Sequence, residues 1–288
     1  MDKFELMATA SFGLEALAAQ ELRDLGYTDL AIEDGRISFT GDDKAICRAN
    51  LWLRTADRIR VKVGEFEATT FDELFDKTAA LPWAKLLPKN ACFPVEGKSV
   101  KSTLFSVPDC QAIVKKAVVE SLKKEYRQDW FDEDGPTYKI EIALMKDTAT
   151  LSVDTTGPGL HRRGYRTLVG QAPLKETLAA AMVILSRWQY DTAFVDPFCG
   201  SGVIPIEAAL MGLNIAPGLN RTFACEDWPN IPKKVWEEVR QEAMEAAQFH
   251  RELQIIGTDI DPGAVKIARQ NADAADLTDL IHWQASPL

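Results

Sequence analysis

The chain has no Cys-x-x-Cys pair. Its five cysteines, an odd number, are scattered singly along the sequence, which argues against a disulfide framework and for reduced thiols in a cytoplasmic setting. No window approaches the roughly 18 uncharged apolar residues of a membrane-crossing helix, so no membrane association is expected. The opening Met1-Asp2-Lys3-Phe4-Glu5 shows neither the basic nor the apolar region of a secretion signal, and none is expected. Internal repeats and low-complexity tracts are missing as well, and no metal is expected. Basic charge is in short supply overall: the formal net charge is −10, which at first sight speaks against a nucleic-acid partner.

What remains is an ordinary soluble globular composition, with 46 % hydrophobic and 26 % charged residues in 288. At about 150 residues per domain, two domains are the first expectation. The charge is unevenly placed. Residues 1–96 balance at −5, residues 97–170 at +2, residues 171–204 at −1 and residues 205–288 at −6. The acidity sits at the two ends around a mildly basic middle. Nucleic-acid binding depends on a local basic footprint, so the total excludes little.

Residues 3–10 predict a strand and residues 13–25 a helix, with Leu14, Leu17, Ala18 and Leu22 at helical spacing and Gly26 placed to end it. Asp34-Gly35 between two apolar runs predicts a hairpin. Asp42 or Asp43 caps a second helix, and residues 59–66 alternate as a half-buried strand does. Within the next unit, residues 71–79 look helical, 92–95 and 100–105 strand-like, and 108–126 helical. Residues 138–144 and 148–153 form a second hairpin. From about residue 166 the pattern changes. Residues 174–188 predict a helix, 194–196 a short strand, 203–211 a helix, 233–251 a charged amphipathic helix, 253–259 a strand and 262–274 a helix. Another strand starts at 280. Strand, glycine turn, helix, strand, helix, strand opens a doubly wound parallel sheet. Residues 213–253 exceed a usual crossover and predict a helical insertion.

The run most informative about chemistry is Val195-Asp196-Pro197-Phe198-Cys199-Gly200-Ser201-Gly202. Glycines at a strand-to-helix turn let a ligand approach the backbone and present amide donors at the helix N-terminus. No Gly-Lys-Ser/Thr follows, so this is not a P-loop, and Pro205 stands where a dinucleotide fingerprint has its third glycine. Alone, the turn reads equally as a tight connection without ligand. The second element is Gly257-Thr258-Asp259-Ile260-Asp261-Pro262, which puts a carboxylate at the end of the next strand. There it faces the same crevice and can accept both hydroxyls of a ribose. For Asp259 alone the other reading is a helix cap, a role that Asp261 fits better. Together the two elements point to a nucleoside-containing cofactor with no need for a triphosphate.

Asp-Pro-Phe-Cys-Gly-Ser-Gly resembles motif I of class I S-adenosylmethionine-dependent methyltransferases of the N-methylating branch. Residues 159–166 (Gly-Leu-His-Arg-Arg-Gly-Tyr-Arg), 172–180 (Ala-Pro-Leu-Lys-Glu-Thr-Leu-Ala-Ala), motif I continued through Ile204-Pro205-Ile206-Glu207-Ala208-Ala209, and residues 257–262 together resemble a narrower group. This is the THUMP-containing RNA guanine-N2 methyltransferases of the RlmL type, whose members also carried the older label of adenine-specific DNA methylases. The resemblance covers nearly the whole chain. It implies an α/β fold with a ferredoxin-like N-terminal unit (1–65), a THUMP RNA-binding domain (66–160) and the first half of a Rossmann-like methyltransferase domain (166–288). It implies S-adenosylmethionine as cofactor, with Asp196, Phe198, Gly200, Ser201 and Gly202 at the methionine moiety, Asp259 on the ribose and Ile260 against the adenine. Ala172, Pro173 and Leu174 would flank the cofactor's carboxylate end. Cys199 is expected to be a small loop residue, because N-methylation needs no covalent intermediate.

For RNA, Lys98, Lys101 and Ser102 resemble the family's basic strand before the THUMP helix. Lys115 and Lys116, followed by Lys123, Lys124 and Arg127, line that helix, with a solvated face as the other reading. His161, Arg162, Arg163 and Arg166 cluster at the junction with the catalytic domain, where rows of cations would neutralise phosphates. The resemblance also calls for an Asn-Pro-Pro-Tyr-type acceptor motif after the fourth strand, which holds the target amine and stacks the flipped base. No such motif occurs here, and 118 residues follow Gly170. The expectation is therefore a chain lacking the acceptor pocket and its catalytic residues, inactive alone, with an unpaired sheet edge that favours a homo-oligomer or a missing C-terminal half. The function expected is methylation of the exocyclic N2 of guanine in ribosomal RNA. Transfer RNA as substrate, a non-catalytic RNA-binding module and a DNA adenine-N6 methyltransferase are the alternatives.

Overall fold

The computed structural model describes residues 3–166 and 174–287. Strand β1 (Phe4–Ala10), helix α1 (Glu15–Asp24), strands β2 (Leu30–Glu33) and β3 (Arg36–Gly41), helix α2 (Asp43–Trp52) and strand β4 (Ala56–Glu67) form a βαββαβ unit. The local chemistry matches the sequence pattern. Gly26 adopts φ +95° just past α1, Gly35 adopts φ +74° in the two-residue hairpin loop, and the Asp42 carboxylate accepts from Ala45 N at 3.0 Å at the start of α2.

Helix α3 (Phe71–Ala79), strand β5 (Val95–Val100), helix α4 (Val107–Tyr126) and strands β6 (Lys139–Met145) and β7 (Thr148–Asp154) follow. In place of the two strand-like runs expected at 92–95 and 100–105 there is one strand between them, which shares only Val95 and Val100 with those runs. Cys92 contributes only an isolated bridge to Thr137, and Lys101 turns to φ +51°, which stops the ladder. The two N-terminal units share a single seven-stranded sheet in the order β2-β3-β1-β4-β7-β6-β5. The 12-residue β4 serves both units, since its first half pairs with β1 and its antiparallel register with β7 runs from Arg60↔Asp154 to Glu67↔Thr148.

The C-terminal part contains helix α5 (Glu176–Leu185), strand β8 (Phe194–Asp196), helix α6 (Val203–Gly212), helix α7 (Lys233–Ala246), strand β9 (Ile255–Asp259), helix α8 (Pro262–Ala274) and strand β10 (Ile281–Ala285). The strands form a parallel sheet in the order β10-β9-β8. Its core includes Ile206, Ala208, Val265, Ala268 and Trp283.

The insertion between α6 and β9 folds back onto the N-terminal sheet. Its Phe223, Cys225, Trp228, Trp236 and Val239 belong to the same buried cluster as Leu51, Ile59 and Tyr138. Trp228 stacks on Tyr138 at 4.2 Å and Phe223 on Trp236 at 5.3 Å between centroids; each such pair contributes about 0.5–1.5 kcal/mol beyond its burial. Lys44 and Arg48 of α2 both reach Glu242 of α7, at 2.6 and 2.7 Å. Helix α7 stops at Ala246, short of the expected 251, because Ala247 turns to extended backbone.

Candidate functional site

The first strand-to-helix turn of the parallel sheet is held open by its own hydrogen bonds. Phe198 N donates to Asp196 Oδ1 at 3.1 Å, Cys199 N to the Thr258 carbonyl at 2.9 Å, and Gly200 N to Asp259 Oδ2 at 2.9 Å. Asp259 Oδ1 accepts from Asp261 N at 3.0 Å, and Asp261 caps α8 through Gly263 N at 2.8 Å. The strand-end carboxylate therefore ties the glycine loop to the next turn, while the cap belongs to Asp261. Each Asp259 oxygen accepts one backbone bond and keeps a free lone pair for a ligand.

The loop glycines do different things. A Cβ on Gly200 would meet nothing within 4 Å, so the space above it is open; a Cβ on Gly202 would lie 2.6 Å from Trp283 and 2.9 Å from Ala268. Gly200 leaves room for a ligand, and Gly202 lets α6 pack against α8 and β10. Asp196 is buried, and its Oδ2 has no hydrogen-bond partner among the described residues. Burial raises its pKa, with the Asp259 charge adding in the same direction against the Phe198 amide. An unpaired buried acceptor in this position is open to a ligand donor. Phe198 and Ile260 are 71 % and 76 % exposed beside the loop, two apolar faces left open among the described residues. Cys199 is buried, and burial with the Asp196 and Asp259 charges pushes its thiol up to about 12. It stays protonated and is no nucleophile. The residues present fit a small ligand with a cationic group near Asp196, a diol near Asp259 and an apolar ring against Ile260. Ala172 and Pro173 lie outside the described residues; Leu174 accepts from Arg166 Nη2 through its carbonyl at 2.8 Å.

The expected RNA-facing cations divide into two sets. Lys98, Lys101 and Lys116 are exposed; Lys98 pairs with Glu141 at 3.2 Å while its side chain stays 55 % exposed. Ser102 sits in the turn, donating to the Val100 carbonyl and accepting from Asp147 N. Lys115 is turned inward: it meets Glu133 at 2.6 Å and the Phe93 carbonyl at 3.1 Å and lies over the Phe93 ring. At the junction, Arg162 is exposed and His161 half-buried, but Arg163 is only 3 % exposed. It donates to the Leu160 carbonyl at 2.8 Å and the Arg54 carbonyl at 2.5 Å and pairs with Glu207 at 3.4 Å. The expectation that Arg163 meets phosphate is corrected: its guanidinium lies inside the joint between the two halves of the molecule. Arg166 is likewise directed at Glu176, at 3.5 Å.

Comparison with known proteins then decides the family. The description "RlmL ferredoxin-like domain" matches residues 5–60, "THUMP domain" residues 68–154, and "RMKL-like, methyltransferase domain" residues 163–287. The protein named "Putative RNA methyltransferase YpsC" of Bacillus subtilis (strain 168) is 56 % identical over 286 residues, 99 % of this chain and 74 % of that protein. The chain belongs to the THUMP-containing, RlmL-like methyltransferases. A crystal structure described as a predicted N6-adenine-specific DNA methylase from Listeria monocytogenes is 56 % identical, with a TM-score of 0.97 over 99 % of this chain and 75 % of that one. A structure described as "SMU.472, a putative methyltransferase complexed with SAH" is 48 % identical, with a TM-score of 0.95 over 99 % of this chain and 75 % of that one.

Two residues of this THUMP methyltransferase escaped sequence reasoning. Glu207, one turn into α6, is fully buried and accepts from Tyr165 Oη at 3.0 Å as well as pairing with Arg163. Arg221, from the insertion, reaches back to the carbonyls of Gly159 and Arg162 at 2.7 and 2.8 Å. A charged residue inside an otherwise apolar helical run was the available signal for Glu207; nothing local marked Arg221.

Proposed function

We propose that this chain is the donor-binding and RNA-docking part of an S-adenosylmethionine-dependent methyltransferase that acts on the exocyclic N2 of guanine in ribosomal RNA. The observation that carries the reading is the open cradle at Gly200, set between the unpartnered Asp196 Oδ2 and the strand-end carboxylate of Asp259. When bound there, S-adenosylmethionine supplies an electrophilic methyl group on its sulfonium. Asp196 accepts from the ammonium of its methionine part beside Phe198, Asp259 accepts from the ribose hydroxyls, and Ile260 lies against the adenine. Ala172 and Pro173 join Leu174 at the carboxylate end, and the glycine-loop amides together with Ser201 shape the turn. Catalysis rests mainly on positioning the acceptor nitrogen against the methyl group. Lys98, Lys101 and Lys116 of the THUMP domain carry RNA phosphates and set register. The acceptor-amine motif does not occur within these 288 residues, so they provide the donor side and dock RNA without transferring a methyl group.

Calorimetry of the unaltered chain with S-adenosylhomocysteine tests the donor site, with binding expected and its loss expected in Asp259→Ala. Absence of binding to the unaltered chain overturns the reading. Methyl transfer by a chain extended past the acceptor motif, followed by nucleoside mass spectrometry, tests the acceptor. N2-methylguanosine in ribosomal RNA is the expected product; N6-methyladenosine, or methylation confined to transfer RNA, refutes the acceptor assignment. Turnover by residues 1–288 alone refutes the division of labour.

A further inference from the structure

Between the junction loop and the insertion lies a cleft of about 680 Å3, lined among others by Pro158, His161, Arg162, Arg166, Arg221 and Thr222. Its walls come from both halves of the molecule. The floor is fixed by close packing: Gly164 has φ +99°, and a Cβ there would lie 2.6 Å from the Asn220 carbonyl oxygen.

The charges around this cleft do not cancel. Arg163 has Glu207, Arg166 has Glu176 and Arg58 has Asp154. Arg162 and Arg221, which line the cleft, and Lys175, which is outside its lining but near enough to act on His161, form no ion pair among the described residues. Arg221 is held by neutral groups only, donating from Nη1 to the Gly159 and Arg162 carbonyls, from Nη2 to the Pro158 carbonyl and from Nε to the Thr222 carbonyl. Of the five N–H donors of a guanidinium, that leaves one on Nη2. Burial above all, then the charges of Arg163 and Arg58, lower its pKa to about 10, with Asp154 opposing. His161 shows the same surroundings: burial and then Lys175 lower its pKa, with Asp57 opposing and Arg162 and Arg163 adding. Three carboxylates oppose them: Glu176 lines the cleft and pairs with Arg166, Asp154 acts on Arg221, and Asp57 acts on His161 while its Oδ2 accepts from Ser11 at 3.2 Å. Such a concentration of one sign is self-repelling until an anion enters it.

We propose that this cleft binds a backbone phosphodiester of the RNA substrate, with Arg162 and Lys175 as exposed ligands and Arg221 as the fixed one. The inference rests on the RNA reading above and adds to it a second anchor, separate from the THUMP lysines. Arg221 comes from the insertion, Arg162 from the junction, and Lys175 stands at the N-terminus of α5, which packs on α6 and so on the glycine loop. One phosphate held here fixes the RNA relative to the docking domain and the donor site together, which a contact on the THUMP surface alone does not achieve.

The test measures affinity of the chain for a short fluorescein-labelled single-stranded RNA of mixed sequence across a series of salt concentrations. Arg162→Met and Lys175→Met are exposed changes, so folding is preserved, and each is expected to weaken binding and lower the salt slope by about 0.7. Arg162→Lys keeps the charge and is expected to keep the slope. Arg162→Met is expected to retain its affinity for S-adenosylhomocysteine. Unchanged affinity and slope in both Met variants, with binding lost in Lys98→Met/Lys101→Met, overturns the cleft and leaves the RNA reading standing. No RNA binding by the unaltered chain at low salt overturns both. Loss of S-adenosylhomocysteine affinity with RNA affinity intact also overturns the cleft, by assigning those cations to the cofactor.

Discussion

Arg163→Met separates a joint residue from an RNA ligand. The side chain is almost fully buried, and so is its partner Glu207. Methionine fills similar volume but removes the charge, leaving Glu207 with the Tyr165 hydroxyl and the charge of Arg54, and the Leu160 and Arg54 carbonyls without their donor. Removing one partner of a buried pair costs about 3–5 kcal/mol where the other charge is left alone; Arg54 compensates part of it here, so a loss of about 2–4 kcal/mol is expected. Urea unfolding followed by tryptophan fluorescence reads it on both sides of the joint, since Trp236 lies in the insertion and Trp283 in the parallel sheet. Pairing the change with Glu207→Leu removes the stranded carboxylate and is expected to restore about half of the loss, a coupling that independent sites do not show. RNA affinity of the folded Arg163→Met protein is expected to match that of the unaltered chain. A stability change below about 1 kcal/mol, the range of an exposed pair, together with weakened RNA binding, would refute the assignment of Arg163 to the joint.

The loop glycines give a second contrast. Gly202→Ala meets both the φ +83° backbone and the Trp283 ring, so a loss of about 2–5 kcal/mol is expected from left-handed strain and overpacking, read as a lowered melting temperature. Gly200→Ala, with open space around it at φ +51°, is expected to lose only about 1–2 kcal/mol, while S-adenosylhomocysteine affinity drops in calorimetry because the new Cβ enters the cradle; unchanged affinity refutes the role given to Gly200. Glu242 is held below its ordinary pKa of 4.5 by hydrogen bonds from Lys44 and Arg48. Its pairs therefore stabilise the docked insertion fully above that value and lose this as pH falls through the lower folded-state value. Glu242→Gln is expected to cost about 1 kcal/mol or less at pH 7, since the group is largely exposed, and nothing at a pH below the folded-state value; denaturation curves at both pH values check this, and an equal loss at both contradicts it.

The parts of the fold that were legible in the sequence are those whose causes are local. The Asp34-Gly35 hairpin, the Asp42 cap and the turn from β8 through Gly200 to α6 each depend on residues within a few positions, and each formed as the pattern requires. Asp259 was legible for a related reason: two strands of a parallel sheet end at the same crevice, so its approach to Gly200 across 59 positions follows from topology. Charge was read less well, because a charge carries no sequence mark of its partner. Arg162 and Arg163 are adjacent and identical in type, yet one faces solvent and the other is neutralised by Glu207, 44 positions away. Lys115 resembles Lys116 in the same way, and Glu133 decides between them.

The insertion shows the same limit at a larger scale. Its excess length and amphipathic helix were visible, but its partner was not. Trp228 and Trp236 could have served any core; the stacking of Trp228 on Tyr138, with Trp236 buried in the same cluster as Leu51 and Ile59, seats the insertion on the N-terminal sheet. That seating carries Arg221 to the junction, where no neighbour in sequence announces it. The cleft therefore exists only in the assembled molecule: Arg162 and Arg221, which form no ion pair among the described residues, reach it from segments 59 positions apart. A basic footprint built this way leaves almost no trace in the charge profile, so a net charge of −10 does not exclude a local concentration of positive charge.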